Sequence, residues 1–160
     1  MTARKDQNEG RRFLGKVLFL LYIAFLVYFL IFSERYGREP GTSSYRYNLV
    51  PFQEIKRFWT YHDQIGFWPS AANLAGNILI FIPFGFFLPM TSRFRNFAIT
   101  VFLSFILSLV VEMGQFVTQV GCFDIDDILL NTFGGLIGFV LYAWYYSVRS
   151  KRRKRRRKKR

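Results

Sequence analysis

The sequence predicts an all-α membrane protein: four transmembrane helices, with a short amphipathic interfacial helix in the first extracellular loop. Three observations carry this. Four apolar stretches each approach or exceed the ~20 residues that a helix needs to cross a hydrocarbon core of about 30 Å. Twenty Phe and nine Tyr among 160 residues suit a chain whose solvent is partly lipid. The 23 Lys and Arg residues fall mainly in blocks beside the apolar stretches, ten of them in the unbroken run Lys151 to Arg160. That arrangement is a topology signal. A net charge of +13 would suggest nucleic acid if the cations lined a groove, which they do not, so no nucleic acid partner is expected. The single cysteine, Cys122, excludes an intramolecular disulfide and a cysteine metal site, and the lone His62 leaves little room for a histidine cluster.

Residues 1–12 form a polar cytoplasmic segment with Arg4, Lys5, Arg11 and Arg12. The first span is 13–32, and Lys16 lies close enough to its start to snorkel to the headgroups. A cleaved signal peptide is the rival, but Ser33-Glu34-Arg35-Tyr36 lacks a small-x-small cleavage pattern, so a retained helix is expected. Pro40 to Ser44 read as turn or coil. Pro51 then opens a helix at its first position, with Phe52, Ile55, Phe58 and Trp59 at helical spacing against Gln53, Glu54, Lys56 and Arg57. This segment is too short to span and amphipathic enough to lie at the interface, or to pack on the other spans as an ordinary loop helix.

The second span is 71–90, with Asn73 and Asn77 one turn apart and a kink or break expected at Pro83 and Gly85. A tight connection over 91–96 leads to the third span, 97–118, and the fourth is 128–146. Residues 13–146 thus form one membrane domain, followed by a basic cytoplasmic tail, 147–160. With both termini cytoplasmic, 18 of the 23 basic residues lie inside, and Arg35, Arg38, Arg46, Lys56 and Arg57 lie outside.

This topology gives the polar residues a common depth. Ser104, Ser108, Glu112, Gln115 and Gln119 fall within a stripe about 80° wide on the third helix. Asp124, Asp127, Asn131, Gly134 and Gly138 share a face of the fourth, and Asp126 points away from it. At 1.5 Å per residue, Asn77, Glu112 and Asn131 each sit on the order of 5–10 Å below the outer surface. The candidate site is therefore Asn73, Asn77, Glu112, Gln115, Asp124, Asp127 and Asn131. Lipid disfavours such groups strongly enough that each needs a reason. Plain structural roles compete: the Asn and Gln residues as interhelical hydrogen bonds, Asp124 and Asp127 as helix caps, Asp126 as solvated turn surface, and Gly134-x-x-x-Gly138 as simple close packing. Glu112 has no basic residue in its own helix and no cap to make.

Four segments, Asn48-Leu49-Val50-Pro51-Phe52, Asn77 to Gly85, Glu112-x-x-Gln115, and Phe123-Asp124-Ile125-Asp126-Asp127 with Asn131, Gly134 and Gly138, resemble the VanZ-like family of bacterial membrane proteins. They run in order over more than half of the chain. The family often carries a basic residue just before its Phe-Asp, where this chain has Gly121-Cys122; if that residue is a site partner, Arg46, Lys56 or Arg57 would have to replace it here, or the site differs. The resemblance implies a small multi-pass protein of the bacterial cytoplasmic membrane. The family takes its name from a member associated with low-level resistance to the glycopeptide teicoplanin, and the resemblance implies no particular reaction.

Several readings stay open at this level. The site could bind or modify an envelope lipid, with a lipid-linked cell-wall precursor or a glycopeptide as partner. It could be an intramembrane acid–base enzyme, with Glu112 and Asp127 as the catalytic candidates, although no nucleophile is marked. It could also serve a small transporter or proton relay, which would call for an oligomer, or a scaffold. Oxygen ligands from Glu112, Asp124, Asp127 and Asn131 are of the type that holds Ca²⁺ or Mg²⁺, but no loop motif accompanies them and no cofactor is expected.

Overall fold

The computed structural model describes residues 2–33, 47–65, 67–119 and 122–158. Five helices and two minimal strands follow one another: α1 (Thr2–Ser33), β1 (Tyr47–Asn48), α2 (Gln53–Ile65), α3 (Phe67–Thr91), α4 (Phe97–Thr118), β2 (Phe123–Asp124) and α5 (Ile125–Lys158). Helices α1, α3, α4 and α5 are long and apolar enough to cross a membrane, and the chain is an all-α membrane protein. Their outward faces carry Phe, Leu, Val and Tyr, the surface expected where the solvent is hydrocarbon.

Helices α3 and α5 form the most extensive contact in the bundle. The cause is glycine at the crossing. A Cβ on Gly85 would fall 1.9 Å from the carbonyl oxygen of Gly135, and one on Gly138 would fall 2.1 Å from that of Ile82. Without side chains there, two backbones meet directly, which is how membrane helices gain contact when no hydrophobic force separates helix from lipid. Helix α4 packs on the other side of α5, with Ser104 against Gly135. Helix α1 is attached more thinly, through Leu26 and Leu30 in a core shared with Phe81, Phe84, Leu88 and Val111.

The helix ends have local causes. Asn96 caps α4 by accepting the Ala98 N–H at 2.8 Å, and α4 stops where Gln119 turns left-handed at φ 55°. Helix α3 is continuous from Phe67 to Thr91, so the break expected at Pro83 does not occur. Pro83 removes the donor for the Leu79 carbonyl, and a packed bundle absorbs such a loss. The adjacent Ile80 carbonyl accepts the Tyr22 hydroxyl from α1.

Three further boundaries differ from the sequence reading. Helix α2 begins at Gln53, because Pro51 and Phe52 form a turn in which Phe52 takes a positive φ of 64°. Helix α3 starts four residues earlier than expected. Helix α5 does not stop at the membrane edge but carries the basic run onward to Lys158, about 51 Å of helix in all.

The strands are only two residues each, yet they organise one end of the bundle. They pair in parallel, Tyr47 with Phe123 and Asn48 with Asp124. The segment ahead of α2 is thereby tied to the turn between α4 and α5.

Candidate functional site

The polar residues of α3, α4 and α5 meet at the end of the bundle closed by the strand pair. Asp124 lies at its centre. As N-cap of α5 its carboxylate accepts the Asp126 N–H at 2.8 Å, a geometry that suits a carboxylate at the positive end of a helix. The same carboxylate accepts the Asn48 amide at 3.1 and 3.2 Å. Its own backbone N–H donates to Glu112 at 3.0 Å. Glu112 is 2% exposed, so this bond is made in an apolar interior where an unpaired group is expensive.

The outer members attach to this centre. Asp126 accepts the Phe52 N–H at 2.5 Å, which fixes the start of α2 over the cluster. Asp127 accepts the Asn77 amide at 2.5 Å, joining α5 to α3. One turn deeper, the Asn131 amide donates to the Ser108 hydroxyl at 2.9 Å, joining α5 to α4. Gln115 turns instead to α1, donating to the Leu30 carbonyl at 2.9 Å. That carbonyl lies in the last turn of α1, where helical partners run out.

Several expectations need correction. Asp126 is not solvated turn surface; it is 1% exposed and holds the backbone of another element. Helical angle alone put it off the polar face, but the partner comes from α2, above the helix end, rather than from beside it. Glu112 does have a cap-like role, toward a donor twelve residues later in the chain. Gln115 gives its amide to α1 rather than to α5. Gln119 leaves the stripe altogether as the exposed C-cap of α4. The Asn73 side chain and Arg46 lie outside the described residues, and Lys56 and Arg57 are on exposed surface of α2. Asn48 and the Phe52 N–H are the members that reasoning from the spans overlooked. Their signal was the Asn48-to-Phe52 segment, significant only through resemblance.

What the arrangement offers chemically is acceptors. Four carboxylates, from Glu112, Asp124, Asp126 and Asp127, surround the start of α5. Among the described residues, the buried side-chain oxygens Asn131 Oδ1 and Gln115 Oε1 find no hydrogen-bond partner. Such atoms call for a donor, such as a hydroxyl, an amine or water. Among the described residues, no three His, Cys, Asp or Glu side chains group as metal ligands would.

Comparison with known proteins follows the same stretch of chain. The family model described as VanZ/LLP1 matches residues 19–146. A relative named Protein VanZ, from Enterococcus faecium, is 29% identical over 134 residues, which cover 82% of this chain and 75% of that protein. No solved structure matches the chain.

Proposed function

The chain belongs to the VanZ/LLP1 family, and from that membership we propose that it binds or modifies a cell-wall lipid or glycan precursor in the outer leaflet of the bacterial cytoplasmic membrane. A role in glycopeptide resistance, with teicoplanin as the drug, follows from the same relationship. In this reading both termini are cytoplasmic, because 18 of the 23 basic residues then lie inside. The acceptor cluster then faces the outer surface, where lipid-linked cell-wall intermediates and glycopeptides meet.

The observation that carries the reading is the pair of buried acceptors, Asn131 Oδ1 and Gln115 Oε1, without a partner among the described residues, beside a group of carboxylates. A headgroup rich in hydroxyls or carrying an amine supplies what these atoms lack. Helix α2 and the turn before it form the roof, with Trp59 and Ile55 of the helix and Phe52 of the turn exposed as an interfacial segment would have them. Binding is favoured over catalysis because Glu112 and Asp127, the acid–base candidates, already hold a backbone N–H and an amide. The test is lipid copurification. Wild type should carry a precursor lipid that Asn131→Leu and Glu112→Gln lose while still inserting, and identical lipid profiles would count heavily against the reading.

One observation favours a second reading, a small transporter or proton relay. Thr100, Ser104, Ser108, Glu112 and Gln115 are all buried, so the polar stripe of α4 covers about 22 Å rather than only the outer half. Ser104 and Thr100 nevertheless spend their hydroxyl protons on carbonyls four residues back, Thr100 and Asn96, which interrupts a relay. Proton flux in proteoliposomes, abolished by Ser108→Ala, would favour this alternative.

A further inference from the structure

The opposite end of the bundle holds a second polar feature, unrelated to the acceptor cluster. Between the start of the α1 span and the connection from α3 to α4 lies an open groove of about 470 Å³, lined by Lys16, Phe19, Leu20, Thr91, Ser92 and Arg93. Two of these six are cations and none is an acid. Phe19 and Leu20 give the groove an apolar wall beside its charged rim. Gly15 brings α1 alongside, since a Cβ there would be 3.9 Å from the Thr91 methyl group.

The last turn of a helix normally presents bare carbonyls, which would repel an anion. Two carbonyls near the end of α3 are engaged here. The Thr91 hydroxyl donates to the Phe87 carbonyl at 2.8 Å, and the Ser92 hydroxyl and N–H donate to the Leu88 carbonyl at 2.6 and 3.0 Å. Ser92 also accepts the Phe94 N–H at 3.0 Å, which holds the connection in a fixed turn. Arg93 lies over the Phe94 ring at 5.7 Å, which orients its guanidinium. The groove offers an incoming molecule one ammonium, one guanidinium and an apolar wall.

We infer that this groove binds an anionic phospholipid, its phosphate held between Lys16 and Arg93 and its acyl chain lying along Phe19 and Leu20. The charge pattern selects the ligand: a guanidinium fork matches two phosphate oxygens, and an ammonium adds a point charge. The position selects the source, because Lys16 and Arg93 lie at the end of the spans, where headgroups begin. The basic tail of α5 attracts anionic lipid diffusely, as any polybasic segment does. This groove differs in combining two cations with a shaped apolar surface, so it should retain a lipid through purification. The assignment is independent of what the acceptor cluster binds.

The test uses the full chain in nanodiscs of equal phosphatidylglycerol and phosphatidylcholine, followed by native mass spectrometry of the lipid released with the protein. Wild type should retain phosphatidylglycerol several-fold over phosphatidylcholine. The double variant Lys16→Gln/Arg93→Gln should lose most of that preference. Arg95→Gln, which removes a cation from the same connection outside the groove, should keep it. An unchanged preference in the double variant would assign the retained lipid to the tail and overturn the proposal. Displacement by millimolar inorganic phosphate would overturn the lipid assignment. Should the double variant fail to fold, Lys16→Arg against Lys16→Gln decides the matter. Retention should survive the first substitution and fall in the second, and equal retention in both would overturn the proposal.

Discussion

The Glu112 carboxylate accepts the backbone N–H of Asp124 at 3.0 Å, so a side chain of α4 terminates the turn that leads into α5. Asp124 in turn caps α5 and receives Asn48 from the first loop. One buried acid thus supports three segments of chain.

Replacing that acid separates two roles. Glu112→Ala leaves the Asp124 N–H buried without an acceptor and should cost about 1–3 kcal/mol of stability. Glu112→Gln keeps an amide oxygen in reach and should cost roughly half as much or less. Thermal unfolding in detergent distinguishes the two. If glutamine destabilises as much as alanine, the carboxylate has a further structural duty.

The glycine crossing makes a sharper contrast. Gly85→Ala and Gly138→Ala place a methyl group on a backbone carbonyl, so each should cost about 1–3 kcal/mol through forced separation of α3 and α5. Gly76→Ala, in the same α3, meets nothing within 4 Å and should be neutral or stabilising by up to about 1 kcal/mol. Melting temperatures of the three variants check both statements.

Asn131 and Ser108 should be energetically coupled. A double-mutant cycle of Asn131→Leu and Ser108→Ala should give an interaction of about 0.6–1.7 kcal/mol, the range for interhelical hydrogen bonds in membranes. Additive effects would mean that the hydrogen bond contributes nothing measurable.

Charge at position 48 should matter more than contact. Asn48→Ala loses a hydrogen-bonded amide, a loss of about 1 kcal/mol. Asn48→Asp sets a second carboxylate against Asp124 and should be worse. Amide hydrogen exchange across Tyr47–Phe52 should speed up modestly in the first and strongly in the second.

Four spans require both termini on one side. Reporter fusions after Arg160 and at the 92–96 connection should report the same compartment, and a fusion at Val50 the opposite one. Agreement between Val50 and Arg160 would refute the even number of crossings.

The spans were legible because length and hydropathy are local properties, and twenty apolar residues mean the same thing in any context. That Glu112 and Asn77 meet at one end of the bundle was legible for a similar reason, from span position and helical rise. Partners were not. Asp126 looked like surface because helical geometry describes only its neighbours on α5, whereas its donor, Phe52, is 74 residues away in sequence. Gln115 looked like part of a pocket wall, and only packing shows that the Leu30 carbonyl takes its amide. The strand pair left no periodic trace, being two residues long on each side.

The pairing of Asn48 with Asp124 also imposes an order in time. A chain made from its N-terminus at about 5–20 residues per second presents Asn48 roughly 4–15 s before Asp124 exists. Glu112 and the N–H it accepts are only twelve residues apart and so reach the membrane almost together. The cluster can close only once the last helix has been delivered, so its completion marks the end of assembly. A chain arrested during synthesis short of residue 124 would hold its first loop untied, a half-built state open to membrane quality control.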